Sequence, residues 1–139
     1  MPTPTAGYSG TPLPRKLGVK DTHTVFLDRV PATVDLGDLG GAHVVRRLPR
    51  AADVTVTFHD RLADLSARLP TLLEHTVTDG MVWVCWPKKA SRLPTDLDEN
   101  VVRDLGLELG VVDVKVAAVD ATWSALKFVR RLRDRSGTA

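Results

Sequence analysis

Isoleucine and glutamine are absent from the sequence, and cysteine occurs once, at Cys85. A single cysteine excludes an internal disulfide, so the expected setting is a reducing, cytoplasmic one and the fold must be held by its own core. Apolar runs are short and broken by charge, which leaves no segment of membrane-spanning length. The opening residues, MPTPTAGYSG, lack the basic and apolar regions of a secretory leader. The four histidines, at 23, 43, 59 and 75, fall one per element without metal-ligand spacing, so no metal site is expected. Ser91 has no Gly-x-Ser-x-Gly setting, which leaves a hydrolase without support.

The residues present suit one ordinary domain. The chain has 139 residues, 43% of them hydrophobic, enough to bury a core without a structural metal. Arginine outnumbers lysine thirteen to six, which together with the missing isoleucine indicates a high-GC bacterial genome. Arginine content is therefore weak support for nucleic-acid binding, and the formal net charge is only +2.

Residues 1–10 read as a flexible arm. Thr11 and Pro12 resemble an N-cap and first turn, with Gly18 ending a short helix. Strands are predicted over 22–28, 42–48 and 53–59, with residues 31–41 as a loop containing at most one helical turn. Asp60 is positioned to cap a helix whose leucines at 62, 65, 69, 72 and 73 recur at helical spacing, and Pro70 should kink or split it. GMVWVCW (80–86) is near-continuously apolar, as a strand buried on both faces should be. Thr95 and Asp98 resemble a capping box, with the following helix ending at Gly110. Residues 111–120 and 122–131 alternate as a hairpin, and 132–139 form a basic tail.

Strands alternating with helices and closed by a hairpin predict a single three-layer α/β domain over 11–131. Its sheet would be mostly parallel, with a C-terminal antiparallel hairpin: a reduced, methyltransferase-like Rossmann fold. Ligands of such sheets sit at the strand C-terminal ends, here Asp28 with Arg29, Arg47, His59 with Asp60, and Trp86-Pro87-Lys88-Lys89. Asp28 stands where the cofactor loop of a methyltransferase begins. The three glycine positions that follow hold Val30, Ala32 and Val34, whose side chains fill the space a cofactor needs. Arg46 and Arg47 stand where an acid would hold ribose hydroxyls, so no cofactor and no catalytic residue are assigned. Cys85 within VWVCW reads as a buried, unreactive thiol. His59 beside Asp60 reads as a strand end and a helix cap. Arginines at 130, 131, 133 and 135 read as a solvated tail rather than a nucleic-acid surface.

Lys88 and Lys89 are the strongest local signal. With Arg92 and a helix N-terminus near Thr95 they would favour a phosphate or carboxylate. Three segments, GYSGTPLPRKLGVK, WPKKAS and DVKVAAVDATWSALKFV, occur in order from Gly7 to about Arg131. On these the chain resembles the actinobacterial domain-of-unknown-function family 3052. The resemblance implies a small single-domain bacterial protein without an assigned activity. It directs attention to Ser9, Gly10, Thr11, Trp86, Pro87, Lys88, Lys89 and Ser91 as ligand- or partner-binding residues. The expected role is non-catalytic, with a protein partner or small anionic ligand bound at the strand edge, and neither nucleic acid nor membrane. The alternative is an enzyme with an atypical nucleotide or S-adenosylmethionine site at that edge.

Overall fold

The apolar segments assemble one six-stranded sheet in a computed structural model that describes residues 12–135. A short helix, α1 (Leu13–Leu17), precedes β1 (Thr24–Asp28), β2 (His43–Val45) and β3 (Ala52–Phe58). Helix α2 (Leu62–Glu74) leads to β4 (Thr76–Pro87), and α3 (Glu99–Glu108) leads to β5 (Val111–Ala118), β6 (Trp123–Arg130) and a last turn, α4 (Leu132–Arg135). The strand order is β2-β1-β3-β4-β6-β5. The first four strands run parallel, β6 runs antiparallel to β4, and β5 antiparallel to β6. The mostly parallel sheet and its closing hairpin are as the sequence predicts. The arm at 1–10, the cap assigned to Thr11 and the tail from residue 136 lie outside the described residues.

The sheet has two unlike faces. From Val82 to Pro87, β4 is buried, and its side chains alternate between the two cores. Val82, Val84 and Trp86 pack with Leu65, Leu69 and Phe128 beneath α2 and α3. Trp83 and Cys85 pack with Leu27, Val56 and Trp123 on the other face, where α1, the loop after β1 and Val119 from the β5–β6 turn join the core. The Trp83 indole N–H donates to the Leu17 carbonyl at 3.0 Å, which anchors α1 to the sheet.

That loop carries a short repeat, Asp35-Leu36-Gly37 and Asp38-Leu39-Gly40. Each aspartate accepts a hydrogen bond from the glycine two residues on, at 2.8 Å, forming an Asx turn. The glycines take φ of 68° and 74°, values that side-chain-bearing residues rarely adopt. The turns press Leu36 and Leu39 into the core, so two tight turns do the covering that a crossover helix would otherwise do.

Several local expectations need correction. Helix α2 runs through Pro70 unsplit, because the ring removes one hydrogen bond while Leu65, Leu69 and Leu72 pin both halves. Its N-cap is Arg61, not Asp60; Asp96 from the loop before α3 takes the Leu62 N–H at 2.7 Å. Thr95 does not begin α3: its hydroxyl donates to the Asp60 carbonyl, and Asp98 is the N-cap, accepting from Val101 N–H at 2.9 Å. Arg130 and Arg131 are not a solvated tail. The Arg130 guanidinium donates to the Val77 and Leu73 carbonyls, closing the C-terminal end of α2, and Arg131 reaches the Gly110 carbonyl.

Helix α3 lies so close to β6 that a Cβ on Gly106 would stand 2.1 Å from Cε1 of Phe128. Gly106→Ala is therefore expected to destabilise by about 1–3 kcal/mol through overpacking. A lower urea midpoint at constant slope would bear this out, whereas an unchanged midpoint would mean that Phe128 has room to move.

Candidate functional site

Connections leave β1 toward β2 and β3 toward β4, so the strand order reverses between β1 and β3. Their C-terminal ends therefore flank the crevice where open α/β sheets take ligands. Asp28 and Thr57 are direct register partners there, which turns both side chains to the α2 face. Helix α2 sends down Asp64 and Arg68. The crevice is filled from this side by the protein's own charges.

Asp28, only 6% exposed, is the centre of the cluster. Arg68 grips its carboxylate with Nη2 at 2.9 Å and Nε at 3.1 Å, and the Thr57 hydroxyl lies 2.8 Å from Oδ2. Burial pushes the Asp28 carboxyl up. The bonds from Arg68 and Thr57 and the charges of Arg68 and Arg29 outweigh it, so its pKa sits below the ordinary value. Thr57 also lies 2.7 Å from Nε2 of His59, whose Nδ1 is 2.7 Å from Asp64 Oδ2. Burial lowers the His59 pKa more than Asp64 raises it, which leaves a neutral imidazole near pH 7. Its Nδ1–H then donates to Asp64, so the single Thr57 proton faces two acceptors, His59 Nε2 and Asp28 Oδ2. Arg29 closes the outer side, with Nη1 at 2.6 Å from both Asp64 oxygens. It does so from a left-handed backbone, φ 60°, which is uncommon for a residue with a side chain.

Thr57, His59 and Asp64 have the contact order of a hydroxyl nucleophile, base and orienting acid. Thr57 is wholly buried and His59 is 3% exposed, so no substrate carbonyl can reach the hydroxyl. The chain of contacts is a structural relay of hydrogen bonds that ties α2 to the ends of β1 and β3. His59 pairs with Asp64, not with its neighbour Asp60.

A cleft of about 380 Å³ opens on the α1 face beside β1 and β2. Leu27, Val30, Val34, Leu36 and Val44 wall it, and Asp35 and Arg46 supply its charges. Asp35 is already engaged in its turn, whereas Arg46 makes no ion pair among the described residues. The volume lies at the lower end of the range for small-molecule sites.

Neither a protein-family model nor a curated protein matches the chain. Among solved structures, the fibrillarin–Nop5p complex is similar at TM-score 0.50 and 11% identity, covering 81% of this chain and 75% of that one. Magnesium protoporphyrin IX methyltransferase from Synechocystis PCC 6803, with bound SAH, is similar at TM-score 0.46 and 14% identity over 63% of this chain. The chain spans half the length of that enzyme. The fold is methyltransferase-like.

Within this methyltransferase-like fold, the acid that ends β1 is already committed to Arg68 and Thr57. The lysine loop lies further along the same edge. Trp86 and Pro87 are buried, Trp86 among the side chains beneath α3. Lys88 is half-buried, its N–H donating to the Thr122 carbonyl at 2.8 Å, and Lys89 is exposed. Ser91 folds back, its hydroxyl donating to the Lys88 carbonyl at 2.6 Å and accepting from Leu93 N–H, so it stiffens the loop. Arg92 follows in a left-handed conformation. The α3 N-terminus begins well beyond the lysines, at Glu99, and its cap is a protein carboxylate. Ser9, Gly10 and Thr11 lie outside the described residues. Cys85 is fully buried, and burial raises its thiol pKa, so it is unreactive. Among the described residues no group of metal-ligating side chains occurs, and no helix is long and apolar enough to cross a membrane.

Thr57, Asp64 and Arg68 were not legible as site residues. Their only sequence signal is Asp64 and Arg68 four apart on one helix face, a spacing shared by many solvent pairs.

The cluster sets a two-stage loss of stability in acid. His59 has a lowered folded pKa, so its contribution is complete above the unfolded value of about 6.5 and fades as pH falls below it. Asp28, also lowered, loses its contribution only below the unfolded value of about 3.9. Urea unfolding from about pH 7 to about pH 5 should show declining stability in the wild type and a flatter profile in His59→Gln. Equal slopes would assign the effect elsewhere.

Proposed function

We propose that this methyltransferase-like domain binds a small anionic ligand at the C-terminal edge of its sheet and does not transfer methyl groups. The observation that carries the reading is the cleft beside β1 and β2, whose apolar walls end at an Arg46 without an ion-pair partner among the described residues. With Asp35 held in its turn, Arg46 is the charge open to a phosphate or carboxylate whose organic part meets the aliphatic side chains of the cleft. The non-catalytic half of the proposal rests on the loop after β1. Val30, Ala32 and Val34 stand where a cofactor loop needs glycine, and Asp28 is tied up by Arg68 and Thr57. Lys88 and Lys89 offer a second cationic point on the same edge, with Trp86, Pro87 and Ser91 stiffening it from below. The three sequence segments shared with family 3052 support membership of that group.

Partner binding is the second reading, and the outer strand β5 favours it. Val114 and Val116 are exposed on an edge whose far side has no strand among the described residues. The test is a low-salt thermal-shift screen of the full chain against S-adenosylmethionine, adenine and nicotinamide nucleotides, coenzyme A and phosphate. A ligand at a hundred times its dissociation constant adds roughly 2.7 kcal/mol, a visible shift. The shift should be lost in Arg46→Ala if the cleft is the site, and in Lys88→Ala/Lys89→Ala if the lysine loop is. A shift with S-adenosylmethionine accompanied by methyl transfer would replace this proposal with the enzyme reading. Silence across the panel would leave the partner.

A further inference from the structure

The β5–β6 hairpin sets Lys115 directly opposite Lys127. Lys127 alternates along β6 with Trp123 and Ala125, both in the core of the α1 face, so the two lysines share that face at the far side of the sheet from the cleft. Like charges in direct register repel, and a sheet gains nothing from them. Lys127 is half-buried as well. Burial first, and Lys115 second, hold its pKa below the usual lysine value. Neither ammonium has a carboxylate partner among the described residues. Lys115 Nζ donates to the Lys16 carbonyl at 3.2 Å, which closes the end of α1 and gives that lysine a structural role. Nothing comparable accounts for Lys127, whose ammonium would stand 3.9 Å from a Cβ added at Gly18, just past the end of α1. Lys16 joins the group from above, its Nζ donating to the Ala118 carbonyl at 3.1 Å.

We propose that Lys115 and Lys127, with Lys16 beside them, form a binding site for a phosphate monoester. The charge count selects the ligand. Two adjacent ammonium groups match the nearly two negative charges a phosphate monoester carries near neutral pH, whereas one carboxylate would leave one positive charge uncompensated. The site is independent of the cleft at Arg46: it lies across the sheet and uses different strands. It joins two of the segments that stand apart in the sequence, the one around Lys16 and the one from Asp113 to Phe128.

Inorganic phosphate is the probe. Melting of the full chain is followed as phosphate is added at constant ionic strength, with chloride as the balance, for the wild type, Lys127→Met and Arg46→Ala. The expected result is a saturable rise in the wild type and in Arg46→Ala that is absent in Lys127→Met. Without phosphate, Lys127→Met should melt at or above the wild type, since the repelling pair is gone. A rise that survives in Lys127→Met, or one that chloride reproduces, overturns the site; loss in Arg46→Ala alone moves the anion to the cleft and overturns it too. Should Lys127→Met not fold, carbon resonances of the lysine Cε groups decide. Phosphate should move those of Lys115 and Lys127 in the wild type, and unmoved resonances refute the proposal.

Discussion

The buried carboxylate of Asp28 organises the end of the sheet where a methyltransferase-like fold has its opening. A charge removed from water must be matched by donors or it costs several kcal/mol. Arg68 and Thr57 supply them, one from α2 and one from the neighbouring strand. That requirement draws α2 onto the crevice between β1 and β3. It also sets the rest of the relay, since Thr57 then meets His59, His59 meets Asp64, and Asp64 is held from outside by Arg29. Six side chains, from β1, β3, α2 and the residues that directly follow the two strands, are mutually satisfied, and no buried polar side-chain atom among the described residues is without a partner.

This arrangement has a consequence for chemistry. The same end of β1 cannot both hold a buried internal ion pair and offer its acid to a ligand. In this chain the acid is turned inward, and the sharp turn after it is made by Arg29 in a left-handed conformation. The open space lies on the other face. There the two Asx turns of the 29–42 loop press leucines to the sheet without a helix above them, and the cleft is the room left beside them.

Positive charge is divided in the same manner. Several arginines that look free in the sequence are consumed by structure: Arg68 by Asp28, Arg103 by Asp113, and Arg130 by the carbonyls that end α2. The guanidinium group suits this because its fixed fork engages several acceptors at once. Among the described residues, Arg46, Lys88, Lys89 and Lys127 are among the basic side chains that make no ion pair. A count of basic residues therefore says little about ligand binding here; which of them lack partners says more.

The α/β class, the buried central strand, the loop at 31–41 and the closing hairpin were legible in the residues, because burial on one face or two imposes a period on the sequence. The glycine-free stretch directly after β1, residues 29–34, and the inert Cys85 were legible for a similar reason, since a missing or added side chain has a local steric or solvation effect. Pairings were not. That Asp28 would meet Arg68, that Asp96 would cap α2, or that Lys115 would face Lys127 depends on elements far apart in the chain arriving at one place in a definite register. Local sequence determined which segments must be buried and where the backbone can turn. Only the tertiary structure decided which charges neutralise one another and which stay without an ion-pair partner, because a charge's partner is set by distance in space and not by position in the chain.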